Sequence, residues 1–328
     1  MKSFTKDHKL LILLSFVLLL SSCGGIQKMA VGTTASLLSK AAYEMETESN
    51  WENFKNGVPA NLKTIEGLLY IDPENEDLLS ALVKGYAAYG FAVHETLYLK
   101  DMLLETDKNF HKNQALMYFT KALNYGKRYL KVNGIEFNSF ISNANEKNYT
   151  INSLNDELSG DLRDVETVVF MGQALGSLIN LQKNRMTLVA QLPITKSLFD
   201  WSCSKRPDVA NGICDIYYAT YESSRPRMLG GNPAKGKKLF LEAIKKYPDN
   251  WLVRMSYIQY YLIPMMDEEG YKDQKFFLRS AKKKHETNVI YNGKNSKDST
   301  FAKARLRFYQ ALAIKRFDIV NKIEKEIF

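Results

Sequence analysis

Over residues 76–98 the apolar side chains Leu78, Leu82, Tyr86, Tyr89, Val93 and Leu97 recur at steps of four, four, three, four and four. That spacing draws one continuous stripe along an α-helix, whereas a strand would need a step of two. Residues 161–190 repeat the pattern with Val165, Val168, Leu175, Leu178, Ile179, Met186 and Val189, which predicts a second long helix. Gly172 and Gly176 lie one turn apart inside it. Glycine lowers helix propensity, so a tight crossing with a neighbouring helix is expected there. Ala81, Ala88 and Ala92 flank the first stripe and are expected to admit another helix at short range. The β-rich run VETVVFMG at 165–172 falls inside the longer helical period. The chain is therefore expected to be all-α.

Two turns echo each other. YIDPENEDLL at 70–79 and KYPDNWLVRM at 246–255 both place proline, an acid and asparagine between helical stripes. Proline stops the first helix, and the polar residues start the next. The helix before the second turn carries Leu239, Phe240, Ala243, Ile244 and Tyr247 on one side. Tetratricopeptide (TPR) repeats join their units this way, but their period of about 34 residues is not kept. Degenerate TPR-like hairpins packed into one domain over 46–328 are the expectation. The polar stretches 133–161 and 291–299 read as long loops, the first with a short helix.

The N-terminus carries an address. Lys2, Lys6 and Lys9 form a positive region before an apolar run from Leu10 to Leu20, eleven residues long. Crossing a bilayer takes about twenty, so the run reads as the core of a signal peptide, 1–22. Leu20-Ser21-Ser22-Cys23 resembles the lipobox of bacterial lipoproteins, which implies cleavage and acylation at Cys23. Several acyl chains hold a protein on a membrane where one would be marginal. Residues 23–45 then form the lipidated cysteine and a tether into the first helix, Gly24 to Leu38 being small and polar. Gly24 stands where an aspartate would signal inner-membrane retention, so the outer membrane is favoured, with the protein on its periplasmic face. Removing the signal's three lysines and one aspartate lowers the formal charge from +9 to +7. An envelope protein meets little nucleic acid, so none is expected as a partner. The charge suits anionic lipid, an acidic protein or plain solubility. With Cys23 acylated, Cys203 and Cys214 are left in a compartment where disulfides persist. A staple between neighbouring helices and two free thiols both remain open.

RPRMLGGNPAKGKKLFLEAI at 225–244 poses the sharpest choice. Glycines followed by lysines at a helix start suggest a phosphate cradle. A Walker loop, however, needs G-x-x-x-x-G-K-[ST], and here GKK at 236–238 is followed by Leu239. Asn232 reads instead as an N-cap, with Pro233 at the first helical position. Gly230 and Gly231 supply backbone freedom for the turn out of a helix ending near Ser224. The expected element is a hairpin hinge, Gly230-Gly231-Asn232-Pro233.

Three segments resemble the T component of tripartite ATP-independent periplasmic (TRAP) transporter systems. LLSALVKGYAAYGFAVHE at 78–95 is similar to the family's run into G-Y-x-x-Y-A-x-A-F, with Gly90 and Val93 replacing its alanine and phenylalanine. MGQALGSLINLQKNRMTLVAQLPITKSLFD at 171–200 resembles its central helix, and 225–244 its Pro-x-x-Leu-Gly-Gly turn. The resemblance implies a lipid-anchored helical protein that docks a periplasmic solute-binding protein. It also implies a homo-oligomer, with a trimer expected, and a groove for small, hydrophobic organic acids. The competing reading is a general TPR-like scaffold for envelope assembly.

No catalytic constellation stands out. His94-Glu95 lacks the second histidine of H-E-x-x-H, and His285 sits in the charge run AKKKHE. The chain is expected not to be an enzyme and to need neither cofactor nor metal. For binding, the candidates are Tyr86, Tyr89 and Phe91 on one helix and Tyr217, Tyr218 and Tyr221 on another, with Arg225 and Arg227 at the rim. Aromatic faces cover an apolar body while arginine pairs with a carboxylate.

Overall fold

The computed structural model describes residues 25, 27–38, 41–288 and 301–328. Among them every regular element is helical. We label α1 (27–38), α2 (Trp51–Ile71), α3 (Glu76–Tyr89), α4 (Thr96–Leu103), α5 (Phe110–Val132), α6 (Phe137–Ser142), α7 (Tyr149–Glu157) and α8 (Leu162–Leu181). There follow α9 (Met186–Val189), α10 (Leu192–Lys205), α11 (Ile213–Ser224), α12 (Pro233–Lys246), α13 (Trp251–Tyr257), α14 (Glu268–Asn288), α15 (Arg307–Lys322) and α16 (Glu324–Ile327). None of the described helices is long and apolar enough to cross a membrane.

Asparagines start several of these helices. The Asn50 side chain accepts from Glu52 N and Asn53 N, Asn75 from Leu78 N, and Asn250 from Leu252 N. Each satisfies backbone donors that a helix start leaves without partners. Both echoing Pro-acid-Asn turns therefore end in a cap. Successive hairpins then pack side by side: α2 on α3, α3 on α5, α5 on α8, α8 on α10, and α11 on α12. Leu78, Leu79, Leu82 and Val83 of α3 are all at or below 1 % exposure, which puts α3 at the centre of the core.

Two segments leave the α-helical repeat without leaving the helix axis. Gly90–Glu95 and Ile258–Leu262 are π-helical, each continuing directly from the α-helix before it. An added residue in a turn rotates everything after it, and such bulges occur often at functional sites.

Several local expectations need correction. Residues 161–190 are not one helix: α8 ends at Leu181, Gln182 adopts φ −132°, and Met186 is 71 % exposed. The period continues into the turn because Met186 and Val189 fall on its phase by coincidence. Stretch 133–161 carries two short helices, α6 and α7, anchored by buried Phe137, Phe140 and Leu154. Part of the expected tether is helical, as α1, and buries Val31 and Ala35 in the core. The loop at 291–299 and the signal-peptide region lie outside the described residues, as does Cys23.

The glycine pair on α8 faces α10. A Cβ on Gly172 would stand 3.0 Å from the Phe199 ring, and one on Gly176 would stand 3.4 Å from Thr195 Cγ2. The alanines beside the first stripe do something else. Ala81, Ala88 and Ala92 border a cavity, while α2 approaches α3 at Gly85, where Leu62 Cδ2 sits 2.6 Å from a built Cβ.

Candidate functional site

A cavity of about 720 Å³ is bordered chiefly by α2, α3, α8, α10 and α11. Its walls follow helical periods. Along α8 the lining residues include Glu166, Phe170, Gln173, Ser177 and Asn180, reaching Lys183 just beyond the helix. At 1.5 Å per residue, that course is roughly 25 Å long. The opposite wall is apolar: Phe54, Val58, Leu62 and Ile65 of α2, with Ala81 and Ala88 of α3. Small side chains on α3 leave the space that larger ones would fill.

The aromatic wall is ordered. The Phe199 and Tyr217 rings stack at 3.6 Å with 3° between their planes. Tyr217 and Tyr221 follow at 5.6 Å, and the Arg225 guanidinium lies 4.0 Å over the Tyr221 ring. All four border the cavity. Successive turns of α11 produce this ladder, because residues three to four apart share a face. Burial pushes the Tyr217 hydroxyl far above its ordinary pKa, so it stays protonated at any physiological pH. Arg225 also braces the hinge, donating to Gly230 O at 2.6 Å.

The two ends differ in charge. At one, Lys84 Nζ is shared by Glu46 at 3.1 Å and Glu166 at 3.0 Å, and Tyr43 donates to Glu166 at 3.2 Å. Tyr309 borders the cavity together with these acids. α10 runs against α8, with Phe199 at Gly172 and Thr195 at Gly176, and α11 runs against α10, with Cys214 at Cys203 and Tyr217 at Phe199, so α11 runs the same way as α8. Its far end brings Arg225 to the same end of the cavity as Lys183, the end of α8.

Behind the wall is a buried polar cluster. Glu95 and Arg316, each with its side chain 1 % exposed, lie 3.5 Å apart. Tyr260, a lining residue, donates to Glu95 at 3.3 Å, and Arg316 donates to Thr96 Oγ1 at 3.0 Å and to Gln259 Oε1. Burial raises the Glu95 pKa, with Arg316 opposing it. The cluster ties the two π-helices together, and those helices supply Phe91, Ala92 and Tyr260 to the cavity.

Of the binding candidates read from sequence, Phe91, Tyr217, Tyr221 and Arg225 border the cavity, and four others lie elsewhere. Tyr86 donates to Glu66 at 2.6 Å beside Tyr125, which donates at 2.8 Å. Although burial alone would raise it, those bonds with Lys63 and Lys121 bring the Glu66 pKa to about 2. Tyr89 donates to Lys55 O at 3.0 Å, and Tyr218 to Asp200 at 2.9 Å. Arg227 projects from an exposed 3₁₀ turn, Arg227–Leu229. The hydroxyls of Tyr86, Tyr89 and Tyr218 each found a polar partner in the fold, which the stripe alone does not reveal. Lys183, Gln173 and Tyr260 were missed. The only signal for them was a polar residue recurring in phase with an apolar face.

The glycine turn pairs its amides with backbone carbonyls of the same chain. Gly230 N donates to Arg227 O, Gly231 N to Pro226 O and Asn232 N to Glu222 O, all within 3.1 Å. A phosphate cradle needs those amides free. Asn232 Oδ1 caps α12 at Lys235 N, 3.0 Å away, with Pro233 in the first turn. Lys235 pairs with Glu222 at 2.8 Å and Lys237 with Asp267 at 2.9 Å. Cys203 and Cys214 are joined as a disulfide between α10 and α11. It spans a turn in which Ala210, Asn211 and Gly212 all have positive φ. Among the described residues, no group of three or more His, Cys, Asp or Glu is placed to hold a metal ion.

An all-α bundle wrapped around an elongated apolar cavity, charged differently at its two ends, defines a helical protein with space for a small molecule. Residues 47–281 match the model of the TRAP transporter T-component family, and the chain belongs to that family. It is thus an accessory component of a TRAP transporter system, in a family of transport accessory proteins. A comparison with curated proteins found no match.

Proposed function

We propose that this component is a lipoprotein anchored through Cys23 on the periplasmic face of the outer membrane. It docks the system's periplasmic solute-binding protein and holds a small apolar carboxylate during uptake. The ligand part of this reading is carried by one observation, the stack from Phe199 through Tyr217 and Tyr221 to Arg225 on the cavity wall. Aromatic faces cover the apolar body of a ligand, and a guanidinium pairs with its carboxylate. Docking is supported by family membership, and anchoring by the Leu20-Ser21-Ser22-Cys23 motif. Self-association into a trimer belongs to the same reading. A TPR-like assembly scaffold would have no use for an apolar cavity of this size, so transport is favoured over it.

The test is association. The full-length protein, immobilised, should retain the solute-binding protein encoded beside the cognate permease, saturably. A solute-binding protein from an unrelated TRAP system should wash through. Equal retention of both, or of neither, removes the docking claim.

A further inference from the structure

We propose that the cavity selects a single-headed ligand: an apolar monocarboxylate whose head sits between Lys183 and Arg225, and not a dicarboxylate of the same length. The inference rests on the cavity being a ligand site, and adds orientation and substrate class to it.

The argument is the asymmetry of donors. At the Arg225 end, cationic donors remain. Lys183 borders the cavity and forms no ion pair among the described residues. Arg225 faces Glu222 only at 3.8 Å, and the other oxygen of Glu222 is taken by Lys235 at 2.8 Å. Asn180, one turn before Lys183 on the same face, adds an amide. A carboxylate arriving there meets two cations and the edge of the aromatic ladder.

At the other end the cation is already paired. Lys84 is the lining cation, and it is divided between Glu46 and Glu166. The second oxygen of Glu46 takes Arg305 at 3.3 Å, and that of Glu166 takes Tyr43 at 3.2 Å. A second carboxylate placed there would lose its water, find no unpaired cation in Lys84 and face two resident carboxylates. Desolvating an unpaired charge is costly, and like charges add to the cost. Between the ends lies a course of roughly 25 Å, measured on the rise of α8, with the apolar side chains of α2 and α3 along one side and the uncharged Gln173, Ser177 and Asn180 along the other. A ligand long enough to use it therefore needs one polar end and one apolar end.

The experiment compares matched chains on the full-length protein. The fluorescent fatty acid cis-parinarate is bound first, then displaced by hexadecanoate or by hexadecanedioate. Hexadecanoate is expected to displace at a concentration at least tenfold lower. Lys183→Glu should weaken hexadecanoate several-fold, and Glu166→Gln should narrow the gap by improving the dioate. Lys183 is exposed, so its reversal leaves the fold intact even if Glu166→Gln disturbs its network. Equal displacement by the two acids overturns the single-headed class while leaving the cavity a ligand site. A preference that survives Lys183→Glu unchanged overturns the placement of the head. If parinarate itself does not bind, the ligand reading falls, and this inference with it.

Discussion

Two neighbouring glycines in the hinge are required for different reasons. Gly230 has φ +86°, a conformation that costs a β-branched residue of order 1–3 kcal/mol. Gly231 does not have positive φ. A Cβ there would lie 1.8 Å from Arg225 O, an overlap with backbone that no rotamer relieves. Gly231→Val is therefore expected to lower the melting temperature more than Gly230→Val. Gly230→Asn should recover much of the loss, since asparagine tolerates the left-handed region. Lys235→Ala and Lys237→Ala remove partly exposed ion pairs worth about 0–1 kcal/mol and should melt close to the wild type. Thermal melts of the five variants decide it: equal effects at both glycines would sink the distinction. At this scale, sequence located the turn and its cap. It gave no means to tell a steric glycine from a conformational one.

At the scale of elements, the two π-helices and the cluster between them were invisible in sequence. Their register departs from α by one residue, which a stripe with steps of three and four absorbs. The cluster brings together residues far apart in the chain, Glu95, Gln259 and Arg316, and only folding can do that. A buried ion pair adds little net stability, yet removing one partner leaves an uncompensated charge, typically at 3–5 kcal/mol. Arg316→Met should therefore destabilise strongly. Adding Glu95→Gln to it should return a large part of the loss, because the remaining cluster is neutral. Denaturant melts of the two single variants and the double variant measure this. Losses that simply add would mean that Glu95 and Arg316 are not coupled.

At the scale of the whole molecule, the decisive proposed feature is where the chain is held. Cys23→Ala should abolish labelling by palmitate and leave an uncleaved precursor, read by membrane fractionation and mass. Label retained on the variant would remove the anchor. The apolar stripes by themselves determined that the chain is helical, because a period near 3.6 has only one backbone that puts its apolar residues on one side. The Pro-acid-Asn turns likewise determined where α3 and α13 begin, since capping is a local bond between an asparagine and an amide two or three residues on. Tertiary structure alone decided which aromatics face the cavity. Tyr86 and Tyr217 are alike in sequence, yet one hydroxyl meets Glu66 on α2 and the other ring stacks on Phe199 of α10. It also decided that Ala81 and Ala88 border space rather than a helix. Period fixes a residue's face on its own helix, but what lies opposite depends on helices tens of residues away.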